Sequence, residues 1–259
     1  MNLDISQILE QWPFENGQVS ARRIVGRDGR EKLQLRLDLG ILQMETTGRP
    51  DGQRPFEHES LLEYHELQLD LFRNEHGADE GFELDSDACE QLRAEGTMYY
   101  HRYLAEFVLE DFEAVRRDTG RNLRLFDFCN LYAREEEDRF ALEQYRPYVV
   151  MMHARARARI AMGKNQPKRA LAALRQGLSR IRECYRRVGQ EKAYAVSNEG
   201  AVLRAMAKEV QSQIPISPAE RLRRQLARAV KDERYEEAAR LRDELDQLQN
   251  QEHEAGHKP

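Results

Sequence analysis

The sequence predicts a mainly α-helical fold with a small N-terminal β-hairpin region, a helical body and a separate C-terminal helical hairpin. Three observations lead there. Leucines alternate strictly with polar residues near the N-terminus, apolar residues recur every three or four positions over residues 57–213, and residues 217–249 carry two short apolar stripes either side of a polar turn. The expected organisation is residues 1–56 as the β-hairpin region, 57–213 as the helical domain, 217–249 as the terminal hairpin and 250–259 as a disordered tail.

Residues 3–11 suit a short helix, with Ile5, Ile8 and Leu9 on one side and Pro13 as its limit. Val19, Ala21 and Val25 form one extended run. Leu33, Leu35, Leu37 and Leu39, separated by Gln34, Arg36 and Asp38, form a second. Asp28-Gly29 lies between them and suits a type I′ turn, which needs positive φ at both central residues. The second strand is expected to continue through Ile41, Leu42 and Met44, with a bulge or break at Gly40. A lone hairpin is marginal in water, so its leucine face must pack on the helices that follow.

Helices are then expected over His58–Phe72, Asp87–Val108, Leu109–Asp118, Leu123–Ala133, Tyr148–Met162, Pro167–Val188 and Glu191–Gln213. Asp85 or Ser86 caps the second, Thr119-Gly120 stops the third, and Pro167 opens the sixth. Gly96, Tyr99, Phe112 and Ala114, and again Ala156, Gly163, Ala170, Leu171, Leu174 and Gly177, give these pairs a resemblance to tetratricopeptide units. The turn from Gly163 to Pro167 is longer than that family's norm, and no clean repeat of about 34 residues is present. A generic helical bundle is the alternative.

In the last segment, Ser217, Pro218 and Glu220 read as a capping box, with Ile214-Pro215-Ile216 before it as a short hinge. Leu222, Leu226 and Val230, joined by Ala229, mark the first stripe; Ala238, Leu241, Leu245 and Leu248 mark the second, with Tyr235 at its start. The small pair Ala238-Ala239 falls where two helices meet most closely. The run Tyr235-Glu236-Glu237-Ala238-Ala239-Arg240-Leu241-Arg242-Asp243 resembles the UVR motif, found in the excision-repair proteins UvrB and UvrC, in the activator of the bacterial protein-arginine kinase and in some Clp unfoldases. That resemblance implies docking of another protein, often through a second such hairpin, or self-association. Leu222, Leu226, Val230, Tyr235, Ala238, Leu241, Leu245 and Leu248 are the expected contacts, with Arg242 and Asp243 orienting the rim. The physics agrees, because a helix pair this short leaves apolar surface that something must cover.

Mean hydropathy is -0.82 and 34% of residues are charged, which favours solvated helical faces and excludes a membrane-spanning apolar run. The N-terminus lacks a basic region ahead of its apolar residues, so a secretory signal is not expected and the location reads as cytoplasmic. Cys89, Cys129 and Cys184 form no CxxC pair and read as buried free thiols. No GxxxxGK[ST] loop is present, and the paired CxxC zinc sites of the kinase activator are missing. His58 and His65 sit near carboxylates without an HExxH arrangement, and the aromatics around His101 read as core. No catalytic residue, metal site or cofactor is assigned.

Residues 153–188 carry about ten more positive than negative charges, while 57–143 is rich in Glu and Asp. Arg155, Arg159, Lys164, Lys168, Arg169 and Arg175 are the candidate anion-facing surface, with Arg155 and Arg159 on one helical side and Arg157 turned away. Three roles are open: neutralising the acidic half or simply forming a solvated face, clamping an acidic peptide, or touching nucleic-acid phosphates. The leading expectation is a non-catalytic adaptor. The alternative is a nucleic-acid-binding accessory of nucleotide excision repair, although no helix-turn-helix, zinc-finger or RNP signature supports it.

Overall fold

The computed structural model describes residues 4–215 and 218–255. By contacts the chain divides into two compact units, Met1–Gln211 and Ser212–Pro259.

The first unit opens with a short helix α1 (Ser6–Glu10) and a three-stranded antiparallel sheet of β1 (Ala21–Val25), β2 (Glu31–Arg36) and β3 (Ile41–Glu45), in the order β1-β2-β3. The first turn is longer than the predicted type I′. Gly26 N–H donates to Arg30 O (2.8 Å), and in the loop between them Gly29 has positive φ (74°) whereas Asp28 does not. The second strand does not run on past Gly40. Leu37 N–H donates to Gly40 O (2.9 Å), the chain reverses, and Leu39 is left exposed at the tip. Alternation alone counted Leu39 as strand, because a two-residue turn does not disturb a period of two.

The leucine face packs as expected. Leu33, Leu35 and Met44 are buried with Ala105, a residue of the second long helix. The opposite face is also covered, which alternation did not predict. Lys32, Gln34 and Arg36 are buried: Lys32 is held by Asp28 and Glu45, Gln34 lies between Arg22 and Gln43, and Arg36 meets the N-terminal segment. Arg36 Nε donates to Trp12 O (2.7 Å), and the Arg22 guanidinium lies 4.2 Å from the Trp12 ring centroid. Arg22 and the amides of Gln34 and Gln43 link the three strands side chain to side chain (2.8 and 2.9 Å).

The body comprises α2 (Leu61–His76), α3 (Ser86–Val108), α4 (Phe112–Tyr132), α5 (Glu136–Phe140), α6 (Arg146–Gly163), α7 (Pro167–Arg187), α8 (Glu191–Val196) and α9 (Asn198–Gln213). Ser60 and Asp85 cap α2 and α3 by accepting from the amides of Glu63 and Ala88. Successive long helices pack in chain order, α3 on α4, α4 on α6 and α6 on α7. Leu62, Leu92, Leu125, Met152, Leu174, Ile181 and Leu203 form the fully buried interior.

Two predicted boundaries are corrected. Thr119-Gly120 does not end a helix, since α4 runs through it as one element. Thr119 Oγ1 donates back to Val115 O (2.5 Å), and a Cβ on Gly120 would lie 3.5 Å from His153 Cε1. The glycine marks a helix crossing, where sequence reading took it for a stop. The helix predicted over Glu191–Gln213 breaks at Ser197, whose extended backbone separates α8 from α9 and whose Oγ accepts from Gly200 N–H (3.2 Å).

Cys89, Cys129 and Cys184 are free, the first two buried and the third partly so. Among the described residues no helix is long and apolar enough to cross a membrane, and no group of three His, Cys, Asp or Glu side chains is placed to hold a metal.

Candidate docking surfaces

The second unit is a helical hairpin, α10 (Pro218–Lys231) and α11 (Tyr235–Ala255). Ser217, the expected cap, lies outside the described residues. The connecting turn closes on backbone bonds: Asp232 N–H donates to Arg228 O (2.9 Å) and Arg234 N–H to Ala229 O (2.8 Å), with Glu233 in the left-handed region (φ 58°). Arg234 pairs with Asp232 and Glu237 across the turn (3.0 and 2.5 Å). The second helix continues past Gln249 to Ala255, through the first residues expected as tail.

Ala229, Ala238 and Leu241 form the buried seam between the two helices, with Leu222 and Leu226 packed at its edge. The small residues that let the helices approach are therefore Ala229 and Ala238, one from each helix; Ala239 faces out. The ten side chains singled out for docking separate into three groups. Ala238, Leu241 and Leu245 are buried; Leu222, Leu226 and Leu248 are half-buried; Val230 (51% exposed) and Tyr235 (68%) are open, as are Arg242 and Asp243. Arg242 Nη2 donates to its neighbour Asp243 Oδ1 (3.3 Å). The hairpin thus uses part of the predicted stripe internally and leaves an apolar margin beside the turn.

The basic stretch of the body is not one surface. Arg155 turns inward, its guanidinium 4.2 Å from the Phe107 ring centroid and its Nε buried without a hydrogen-bond partner. Burial holds its pKa below the usual arginine value. Arg159 follows on the same side, 5.9 Å from Phe112. Arg175 donates to Gln211 Oε1 (3.2 Å), and Lys168 is exposed. Lys164 and Arg169 instead join Arg116 and Arg157 around a groove of about 310 Å³ between α4, α6 and α7, where Glu113 is the one carboxylate in the lining. Sequence reading missed Arg116 and Arg157 because only tertiary packing brings α4 beside the N-terminal turn of α7.

The acidic half finds its counter-charges within itself and in its flanks, where Arg23 pairs with Asp111 and Arg146 with Asp127 (2.7 Å each). Arg124 pairs with Glu66 (2.9 Å), Arg134 with Glu83 (2.8 Å), and Arg121 with Glu95. Among the described residues, Lys164–Glu113 (3.5 Å) is the single ion pair joining residues 153–188 to that half, and Arg157, Arg159, Lys168, Arg169, Arg175, Arg180 and Arg182 form none. Of the three roles open to this stretch, internal neutralisation loses its support. His153, beside the groove, is pushed down to about 4, first by burial and then by the cations of Arg157 and Arg180.

Sequence reading also treated the tyrosines near His101 as core throughout. Tyr99 and Tyr103 are buried, but Tyr100 is half-buried and meets Tyr148 of α6 edge-on, with ring centroids 6.1 Å apart.

A family model described as the UvrB/uvrC motif matches residues 217–251, the hairpin and not the body. No curated protein and no solved structure matches the chain.

Proposed function

We propose that this chain is a non-catalytic, cytoplasmic adaptor whose C-terminal hairpin recruits a partner protein through a complementary helical hairpin. The observation that carries the reading is the open margin formed by Val230 and Tyr235 beside half-buried Leu222, Leu226 and Leu248, in the segment that matches the UvrB/uvrC motif. Two helices with a seam of Ala229, Ala238 and Leu241 cover little apolar area, so a partner that buries the margin gains hydrophobic free energy with little ordering of the hairpin itself. Charge adds orientation. The first helix presents Arg221, Arg223, Arg228 and Lys231, while the second presents Glu236, Asp243, Glu244 and Asp246, two of them beside Arg240 and Arg242. The contrast is one of excess charge, and a mate of like design pairs best with its helices exchanged.

The test is quantitative capture from lysate with the full chain, a chain lacking residues 217–259, and the double variant Val230→Ser/Tyr235→Ser. Both altered chains are expected to lose the same partner. A partner list unchanged by the truncation would reject the reading.

A second reading has its own observation. Four cations line the α4–α6–α7 groove against one carboxylate, Glu113, which Arg116 and Lys164 share, while Arg157 and Arg169 form no ion pair among the described residues. This excess of positive charge suits contact with a polyanion such as a nucleic-acid backbone.

A further inference from the structure

A groove of about 890 Å³ lies on the body between α3, α4, the turn at Leu142–Tyr145 and α6, with Glu199 of α9 in its lining, and shares no residue with the cationic groove. Its wall is aromatic. Tyr100 packs perpendicular to Tyr103 (centroids 5.5 Å) and edge-on to Tyr148, while Tyr145, 56% exposed, stands at the mouth and Phe126 lies deeper. Among the described residues, the hydroxyls of Tyr100, Tyr145 and Tyr148 have no hydrogen-bond partner, so each is available to a ligand carbonyl.

The rim is negative. Glu90 and Glu199 line the groove and form no ion pair among the described residues, whereas Arg93, the cation in the lining, is held by Asp138. Aromatic rings and uncompensated carboxylates lining one groove attract a guanidinium in two ways, through the ring quadrupole and through charge. Phenol hydroxyls at the same wall suit backbone carbonyls of an extended chain. A buried core would have paired these hydroxyls or excluded them, and a polyanion site would not carry Glu90 and Glu199.

We propose that this groove binds an extended, arginine-bearing segment of a partner protein, seated with a guanidinium between the tyrosine wall and the carboxylates of Glu90 and Glu199. The site lies wholly within the first unit, so it goes beyond the hairpin reading and does not depend on it.

The probe is a short fluorescein-labelled peptide of alternating arginine and proline, titrated by anisotropy with the full-length protein. Tyr145→Ala and Tyr148→Leu are each expected to weaken binding by about five- to thirty-fold, the range of a cation–π contact. Glu90→Gln with Glu199→Gln is expected to weaken it by a similar factor, and Val230→Ser/Tyr235→Ser to leave it unchanged. Neutralising Glu75 and Glu80, exposed carboxylates of the same unit that do not line the groove, is the control for overall charge and is expected to have no effect. Tyr145, being exposed, tests the wall without a folding cost. The proposal is overturned by an absence of binding, by equal binding of the alternating glutamate–proline peptide, by indifference to both tyrosine changes, or by an equal loss in the charge control.

Discussion

Arg102 and Asp118, each about 1% exposed, face one another from α3 and α4 and share two hydrogen bonds, Nε to Oδ2 at 2.6 Å and Nη2 to Oδ1 at 3.0 Å. The same guanidinium donates to the carbonyls of Glu45 (3.2 Å) and Gly48 (2.7 Å), so one ion pair fastens the end of the sheet to the helical body. Removing one member leaves the other charged and buried. Asp118→Leu is expected to cost about 3–5 kcal/mol, and Arg102→Met combined with Asp118→Leu to cost less than that single change. Urea unfolding followed by the fluorescence of Trp12, the chain's single tryptophan, measures both. A double variant less stable than Asp118→Leu alone would contradict the argument.

Glu106 lies beside this pair, and its carboxyl is pushed up to about 8, first by burial and then by the Asp118 charge, against the opposing pull of Arg117 and Arg102. Its Oε2 is buried without a hydrogen-bond partner. Between the ordinary glutamate value and about 8 the folded chain keeps a proton that the unfolded chain has released, so this group's contribution to stability falls as pH rises through that window. Glu106→Gln keeps the shape and cannot ionise. Its stability relative to the native chain is expected to increase from pH 5 to pH 8, as read by paired urea titrations. A difference flat across that range would remove Glu106 as the cause.

The parts legible in the sequence were those set by local period and turn chemistry. Leu33 and Leu35 announced a strand with a buried face, Asp85 announced a helix start, and the run from Tyr235 to Asp243 announced the hairpin. Failures came where a residue's role is set from another element. Thr119-Gly120 looked like a stop because its reason, the approach of His153, lies on α6. Arg36 looked solvated because the segment it meets, around Trp12, precedes it by many residues. Arg116 entered the cationic groove, and Tyr148 met Tyr100, only through helix packing that no spacing encodes.

Gly177 tests that packing directly. A Cβ there would lie 2.5 Å from Ala154 Cβ on α6 and 2.9 Å from Leu203 Cδ1 on α9, closer than carbon atoms tolerate. Gly177→Ala gains helix propensity yet is expected to destabilise the body by about 1–3 kcal/mol, the usual cost of overpacking. Gly163, with open space around its Cβ position, is the control: Gly163→Ala is expected to be neutral or mildly stabilising in the same thermal melt. Equal effects at the two positions would mean that the α6–α7 crossing is not a close one.

The hairpin separates folding from docking at the level of single side chains. Leu241 belongs to the buried seam, so Leu241→Ala is expected to cost about 2–5 kcal/mol, more than so small a unit can lose, and to melt α10 and α11 while the body stays folded. Tyr235 is 68% exposed, so Tyr235→Ala is expected to leave the helices intact. Amide hydrogen exchange resolved along the chain distinguishes the two. Protection over residues 218–255 disappears in the first variant and persists in the second, whereas partner capture fails in both. Capture that survives Tyr235→Ala but not Leu241→Ala would move the contact from the open margin onto the half-buried leucines.

The excess of cations over carboxylates at the α4–α6–α7 groove makes the second functional reading measurable. If Arg116, Arg157, Lys164 and Arg169 each meet a phosphate, the logarithm of the association constant for single-stranded DNA falls with the logarithm of salt concentration at a slope near -3, about -0.7 per contact. Changing Arg157 and Arg169 to Gln removes two contacts and is expected to reduce the slope by about 1.4. Both side chains donate to glutamines, Gln176 and Gln166, and neither carries an ion pair whose loss would disturb the fold. A slope unaffected by the two changes would place any DNA contact elsewhere on the chain. An absence of binding at low salt would leave these cations without a polyanion partner of this class, and the adaptor reading would stand alone.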